Sequence, residues 1–312
     1  MAERVLILGG AGFIGSHLAR RHLATGDDVH IGVRPGWRRP QCDFLAGVAA
    51  TSVDLMKTEE IEDLFARSRP TIVYHLAAST PHGHAEPDVF KSDVTTTLDN
   101  LRDIISVARR YRPAIKSFVR TGSLAEYRNA AAPSEEQECD DPPTAYGLSL
   151  ALGSRYLRFV QRQLPFPAVT ARLALTYGNG QRSAFLVPSL LRSCLEGRRF
   201  HVREPSGRRD MIYVEDVVSG LIRIGQSATL AGAIINLCTG TALSNRRIAE
   251  TIWSACGSDP SLLSFAPEQA SPSVVWGSPV KARELLGFSA RYTFSQGVAE
   301  MLRATALESA SI

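Results

Sequence analysis

Lysine is almost missing from this chain: Lys57, Lys91, Lys116 and Lys281 are all that 312 residues carry. The remaining strong bases are arginines, and 35 Lys plus Arg against 31 Asp plus Glu leave a net charge of only +4. No basic stripe with interleaved aromatics occurs, so nucleic acid is not expected as a partner. The five cysteines (Cys42, Cys139, Cys194, Cys238, Cys256) are odd in number and hold no C-x-x-C pair. That argues against a disulfide framework or zinc site and for a reducing cytoplasmic setting. No apolar run approaches the roughly 20 residues needed to span a bilayer. The opening "MAERVLILGGAGFIG" carries Glu3 and Arg4 and is broken by glycines. Neither a membrane segment nor a secretory leader is therefore expected. What is present is ordinary for a globular protein: 44% hydrophobic and 21% charged residues, enough for a sizeable core.

Short apolar runs alternate with amphipathic stretches. The segments 4–10, 28–34, 51–55, 71–79, 117–123 and 168–178 read as strands. Helices are predicted between them over 13–26, 59–70, 88–110 and 143–163. This β-α-β-α order specifies an α/β fold with a doubly wound parallel sheet. After 178 the pattern loosens. Helices are predicted over 184–197, from Val214, over 244–257 behind a Ser244 cap, and over 278–288 and 293–307. A hairpin is expected before Val214 and a strand over 232–240. The acidic run "SEEQECDD" (134–141) reads as a solvated loop or a lid. His17 and His22 read as packing or surface residues.

"GGAGFIG" sets Gly9, Gly12 and Gly15 between the first strand and the first helix. Glycines there let the backbone approach a pyrophosphate, and the helix N-terminus supplies N–H donors. The βαβ context makes this a dinucleotide cradle formed by Gly9, Gly12, Phe13 and Ile14. The resulting expectation is a Rossmann domain over 1–177 and a smaller mixed substrate lobe over 178–312, with 213–240 returning to the first. An acid at the end of the second strand would accept from a ribose hydroxyl, but Val33 stands there and Arg34 follows. Arginine suits a 2′-phosphate, so NADP(H) is favoured and NAD(H) remains possible.

Motifs through most of the chain resemble extended short-chain dehydrogenase/reductases, the NAD-dependent epimerase/dehydratase family, of the nucleotide-diphosphate-sugar ketoreductase type. They are "GGAGFIG", "VDL" (53–55), "HLAA" (75–78), "TGSLAEY" (121–127), "YGLSL" (146–150), "RLALTYGNGQ" (172–181), "RRDMIYVEDVV" (208–218), "INLCTG" (235–240) and "ARELLGF" (282–288). The resemblance implies that Asp54 and Leu55 meet the adenine and that Leu76, Ala77 and Ala78 run along the cofactor. It implies Ser123 and Tyr146 as catalytic residues and Leu175 in the loop over the nicotinamide. Arg209 and Tyr213 are implied for the sugar nucleotide, with Thr80 and His82 beside the substrate. A homodimer through helices 88–110 and 143–163 is also implied, with Leu98, Leu101 and Leu157 serving either that contact or the core. Three departures stand out: Leu150 replaces the family's lysine, Asp93 aligns near an expected asparagine, and "GSPVKA" lacks an expected aspartate.

Reduction of a ketone needs a proton for the developing alkoxide. Tyr146 can give it, and Ser123 can hydrogen-bond the same oxygen. A lysine would lower the tyrosine's proton affinity; Leu150 cannot. An unperturbed tyrosine titrates near ~10 and stays protonated at neutral pH. The site thus leans toward reduction, with Arg120, Arg155 and Arg172 as candidate substitute cations. Leu124 and Ala125 stand where the resemblance would require the acids of a sugar dehydratase or the cysteine of a fucose-type epimerase. The expected activity is NADPH-dependent reduction of a nucleotide-diphosphate 4-keto-6-deoxysugar in deoxysugar biosynthesis. An NAD-dependent epimerase and a non-catalytic NADP-binding protein remain alternatives. His82 and His84 read as sugar or solvent contacts rather than metal ligands.

Overall fold

The structure is a computed structural model that describes residues 2–38, 45–77, 87–113, 115–138 and 140–310, with backbone alone for 87–95 and 307–310. The chain runs β1 (Arg4–Leu8), α1 (Phe13–Ala24), β2 (Asp28–Val33), β3 (Ala49–Ser52), α2 (Thr58–Ser68), β4 (Ile72–His75), α3 (Pro87–Arg110) and β5 (Ser117–Ser123). It continues through α4 (Ala145–Val160), β6 (Ala168–Leu173), β7 (Leu175–Tyr177), α5 (Leu186–Leu195), β8 (Phe200–Val202), β9 (Arg208–Tyr213), α6 (Val214–Gln226) and β10 (Ile234–Leu237). The last elements are β11 (Ala242–Ser244), α7 (Asn245–Ala255), β12 (Leu263–Phe265), β13 (Val274–Val275), α8 (Val280–Leu286) and α9 (Phe294–Ala310). None of these helices is long and apolar enough to cross a membrane.

Two compact units form. The first comprises Met1–Arg128, Cys139–Arg172 and Val218–Ile235. Among the described residues its sheet has seven strands in the order β10-β6-β5-β4-β1-β2-β3. Strand order reverses between β1 and β4, which is the switch point where doubly wound sheets bind ligands. Val5–Leu8 are each at most 1% exposed, as expected for a parallel strand covered on both faces. Burying each such side chain contributes roughly 1.5–3 kcal/mol. Leu8, Val73 and Phe118 pack with Phe65 of α2, Ile104 of α3 and Leu157 of α4 in one cluster. Leu101 is also wholly buried there, so it and Leu157 serve the core. α2 illustrates the local logic. Its acids Glu59 and Glu60 lie in the first turn and Arg67 in the last, matching the helix dipole. Ile61, Leu64 and Phe65 form its buried face, and Arg69 ends it in the left-handed region at φ 44°.

The expected strand over 168–178 is two strands. Ala174 donates its N–H to the Leu237 carbonyl (3.0 Å), and β7 then pairs with β9 rather than continuing the large sheet. The strand expected at 51–55 lies earlier, at Ala49–Ser52, because Asp54 already begins the turn into α2.

The second unit comprises Asn129–Glu138, Leu173–Val217 and Asn236–Ile312. Its sheets are β11-β9-β13, with β7 also on β9, and β12-β8. The expected hairpin before Val214 does not form. β8 is three residues long and takes β12 as its partner, while β11, β13 and β7 occupy both edges of β9. The intervening turn is held elsewhere: Asn245 donates its N–H to the Gly207 carbonyl at 2.8 Å. Ser244 caps α7 by accepting from the Arg247 N–H (3.1 Å), as its sequence position suggests. The acidic run is solvated only in part, with Glu135, Gln137, Glu138 and Asp141 exposed. Ser134 and Glu136 are buried, and Glu136 Oε1 accepts the Asn236 N–H at 2.8 Å.

Candidate functional site

The glycine cradle sits at the switch point of the first unit. Gly9 has φ +83°, and a Cβ there would lie 2.9 Å from the Ala77 amide nitrogen. A Cβ on Gly15 would lie 2.4 Å from the Gly9 carbonyl oxygen. Gly12 stands at the N-cap of α1 and offers no side-chain acceptor to the amides that open the helix. These features fit a dinucleotide pyrophosphate, which needs close backbone approach and free N–H donors. Phe13 and Ile14 are half-buried beside the cradle, as are Leu76 and Ala77 at the end of β4. Arg34 is exposed just after β2. Asp54 accepts from the Met56 N–H at 3.0 Å, and Leu55 packs its side chain against the core cluster. Ala78, Thr80, His82, His84 and Glu86 lie outside the described residues, and the side chains of Asp88 and Asp93 do too.

Ser123 ends β5 and Tyr146 lies in the first turn of α4. Thr144 caps that helix by accepting the Gly147 N–H at 3.1 Å. A Cβ on Gly147 would fall 2.1 Å from the Ala125 carbonyl oxygen, so glycine lets this turn approach the segment after Ser123. Ser123 begins a capping box. Its Oγ accepts the Ala125 N–H (3.1 Å), and its own N–H donates to Glu126 Oε1 (3.0 Å).

Glu126 is the centre of a buried charge cluster that motif reading missed. Its Oε2 accepts from Ser154 Oγ at 2.6 Å and from Arg172 Nε at 2.7 Å. Arg172 also donates to Asp140 and lies over the Tyr127 ring, 4.4 Å from its centroid. Arg155, more than half exposed, donates to the other Asp140 oxygen. From β5, Arg120 passes beneath α4. It donates to the Leu150 carbonyl (3.1 Å) and to Ser154 Oγ (3.3 Å) while only 2% exposed. Two glycines make room for these groups. A Cβ on Gly122 would lie 2.1 Å from Glu126 Oε1, and one on Gly153 would lie 2.5 Å from Arg120 Nη2. The signal available in the sequence was the S-x-x-E spacing of Ser123 and Glu126.

Electrostatics follow from this arrangement. Tyr146 is pushed above the ordinary tyrosine range, first by burial and then by the Glu126 carboxylate, with Arg120 opposing. Burial likewise pulls Arg120 below its usual value, against Glu126 and Tyr146. Leu150 is 3% exposed, and its side chain contributes only packing. His75, directly paired with Arg120 across β4 and β5, is held at about 3 by burial and by that guanidinium.

In the second unit, Arg209 is half-buried and donates to the Ser273 carbonyl (2.9 Å) and Ser273 Oγ (2.8 Å). Tyr213 is buried, its ring centroid 4.8 Å from that of Tyr292 and 5.6 Å from that of Tyr177. Leu175 is 40% exposed.

Comparison with known proteins agrees with the Rossmann-like fold. The chain is 27% identical over 311 residues to a UDP-glucose 4-epimerase of Mycolicibacterium smegmatis, covering 95% of this chain and 96% of that protein. It is 26% identical over 310 residues to a dTDP-6-deoxy-L-talose 4-dehydrogenase (NAD(P)(+)) of Kitasatospora kifunensis, covering 96% and 94%. The structure of the Thermus thermophilus UDP-glucose 4-epimerase complex with NAD superposes with a TM-score of 0.81 at 25% identity, covering 96% of this chain and 97% of that one. Residues 5–238 match a single family description. With its Rossmann sheet, the chain belongs to the NAD dependent epimerase/dehydratase family, whose members here act as nucleotide-sugar enzymes.

Proposed function

We propose that the protein is an NADPH-dependent reductase of a nucleotide-diphosphate 4-keto-6-deoxysugar, acting in deoxysugar biosynthesis in the cytoplasm. One observation carries the reading: burial and Glu126 keep the Tyr146 phenol protonated, and Leu150 offers no ammonium to counter them. A phenol that holds its proton suits an acid that protonates a nascent alkoxide. It is a poor base for removing a proton from an alcohol.

The bound nicotinamide cofactor supplies the hydride. Gly9, Gly12, Phe13 and Ile14 would hold its pyrophosphate, Asp54 and Leu55 its adenine, and Arg34 a 2′-phosphate. Leu76, Ala77, Ala78 and Leu175 would line the rest. Tyr146 donates the proton, and Ser123 Oγ steadies the same oxygen; the Ala125 N–H leaves that hydroxyl's own hydrogen for the substrate. Arg209, with Thr80, His82 and Tyr213, would bind the sugar nucleotide. Nothing acidic stands at Leu124 or Ala125 to drive elimination of water. A homodimer through α3 and α4 would cover Phe159, which is 74% exposed.

The test is loss of reduced-nicotinamide absorbance with a deoxythymidine-diphosphate 4-keto-6-deoxyhexose. Consumption of NADPH, with NADH much poorer, is expected. Cofactor binding without consumption for any keto-sugar nucleotide would sink the reductase. The names of the relatives favour a second reading, an NAD-dependent sugar-nucleotide epimerase. Release of tightly held NAD on denaturing the purified protein would support it.

A further inference from the structure

We infer that Arg120 is the cation of this site, held from β5 against α4 beside residues 150, 153 and 154, with Glu126 as its counter-charge. The inference rests on Tyr146 being the proton-transfer group. It names the residues that govern that group.

The geometry singles out Arg120 among the three candidate arginines. Arg155 is exposed and spent on Asp140. Arg172 is bound to Glu126 and Asp140 and covers Tyr127. Arg120 alone donates into the helix that carries Tyr146, to the carbonyl of residue 150 itself. Residues 146 and 150 share a helix face, one turn apart. Gly153, two turns on from Tyr146, lies on that face too, so Arg120 brings its positive charge to the same face of α4, on the C-terminal side of residue 150. Gly153 marks the passage, since any Cβ there would collide with the guanidinium.

The charge does not arrive alone. Glu126 is linked to Arg120 through Ser154, which donates to the carboxylate and accepts from the guanidinium. Their charges bear on the phenol in opposite directions, the carboxylate raising its proton affinity and the guanidinium lowering it. Arg172 pairs with both Glu126 and Asp140, so the balance of charge is completed only by Arg120. Tyr127 lies beneath Arg172, and His75 faces Arg120 from β4 as a neutral ring. A lone ammonium makes a tyrosine easy to ionise; a guanidinium offset by a nearby carboxylate leaves it an acid. Arg120 thus positions α4 and sets the proton affinity of Tyr146 without touching substrate.

The test reads the Tyr146 proton directly, from the carbon-13 shift of its ring Cζ in the labelled full chain, assigned by Tyr146→Phe. No substrate is present, so a failed keto-sugar assay leaves the result intact. Glu126→Gln frees Arg120 of its counter-charge, and the ionisation midpoint should fall by about one pH unit or more. Adding Arg120→Met should raise it again by about as much. That double variant leaves no lone buried charge, which protects folding. E126Q/R120K should stay near E126Q, because the charge persists although the forked bonding to Leu150 and Ser154 does not. Adding Leu150→Lys to E126Q/R120M should bring the midpoint back down. A double variant E126Q/R120M that ionises no higher than E126Q overturns the inference. So does an E126Q/R120K midpoint matching that of the methionine variant, which would mark Arg120 as structural only.

Discussion

Gly153→Ala separates helix propensity from the buried guanidinium, because the two predict opposite signs. Gly153 lies in the interior of α4, where alanine is favoured over glycine by about 1 kcal/mol. Propensity alone therefore predicts a more stable protein. Yet the new Cβ would sit 2.5 Å from Arg120 Nη2 and 2.6 Å from its Cζ. The guanidinium must move, and it is held by bonds of 3.1 Å to the Leu150 carbonyl and 3.3 Å to Ser154 Oγ. Hydrogen bonds to charged groups are worth about 1.5–3 kcal/mol each, and these two are long, so the lower end applies. Losing both costs about 3 kcal/mol; the propensity gain leaves a net loss of about 2 kcal/mol. Against a total stability of roughly 5–15 kcal/mol that shift is large. Urea unfolding should show a lower midpoint at unchanged slope. The loss should shrink when Arg120→Met is present, as a double-mutant cycle would register. A G153A protein as stable as the parent, or more so, would refute the placement of Arg120.

Three further outcomes are expected. Tyr146→Phe should lower turnover of a keto-sugar nucleotide by about 10²–10⁴-fold while leaving cofactor binding intact, as quenching of intrinsic fluorescence would show. Arg34→Glu should weaken NADPH far more than NADH, and equal losses for both in parallel titrations would remove Arg34 from the 2′-phosphate. His75 should make the fold acid-sensitive. Its folded value of about 3 lies below the ordinary 6.5 of a histidine. Its contribution is therefore complete above pH ~6.5 and lost as pH falls toward ~3. Between pH ~7 and ~5 the loss is about 2 kcal/mol, which urea unfolding at the two values should find and which His75→Phe should remove.

The first unit was legible because its signals are local. The cradle glycines are fixed by close approach at Gly9 and Gly15, and the strands of the large sheet are continuous apolar runs. The charge cluster was not legible, for reasons of distance. Arg120 reads as one more strand residue; only the register that sets it opposite His75 and beneath Gly153 shows that it points into the protein. Asp140 is hidden in an acidic run, and nothing nearby announces that Arg172, 32 residues on, will reach it. Glu126 is the intermediate case, visible as a capping box and overlooked behind the motif that surrounds it. The absent hairpin has the same cause. β8 and β9 are adjacent in sequence, but their partners β12 and β13 come from more than sixty residues later.

The charges around Tyr146 bear on the direction of the reaction. Arg120 and Arg172 bring two positive charges, and Glu126 and Asp140 bring two negative ones, so the buried cluster is neutral as a whole. Neutrality satisfies the groups that burial would otherwise penalise. It also withholds from Tyr146 the net positive field that would favour a tyrosinate. A reversible alcohol–ketone exchange needs the tyrosine in both states; a one-way reduction needs only the protonated one, regenerated from solvent between turnovers. If Tyr146 acts as proposed, the site belongs downstream of a reaction that creates a ketone, by oxidation or by elimination of water. It consumes that ketone with little tendency to return it. Restoring a free ammonium with Leu150→Lys should then raise the reverse rate, alcohol oxidation, more than the forward one. A uniform change in both directions would show that the charge cluster does not set direction.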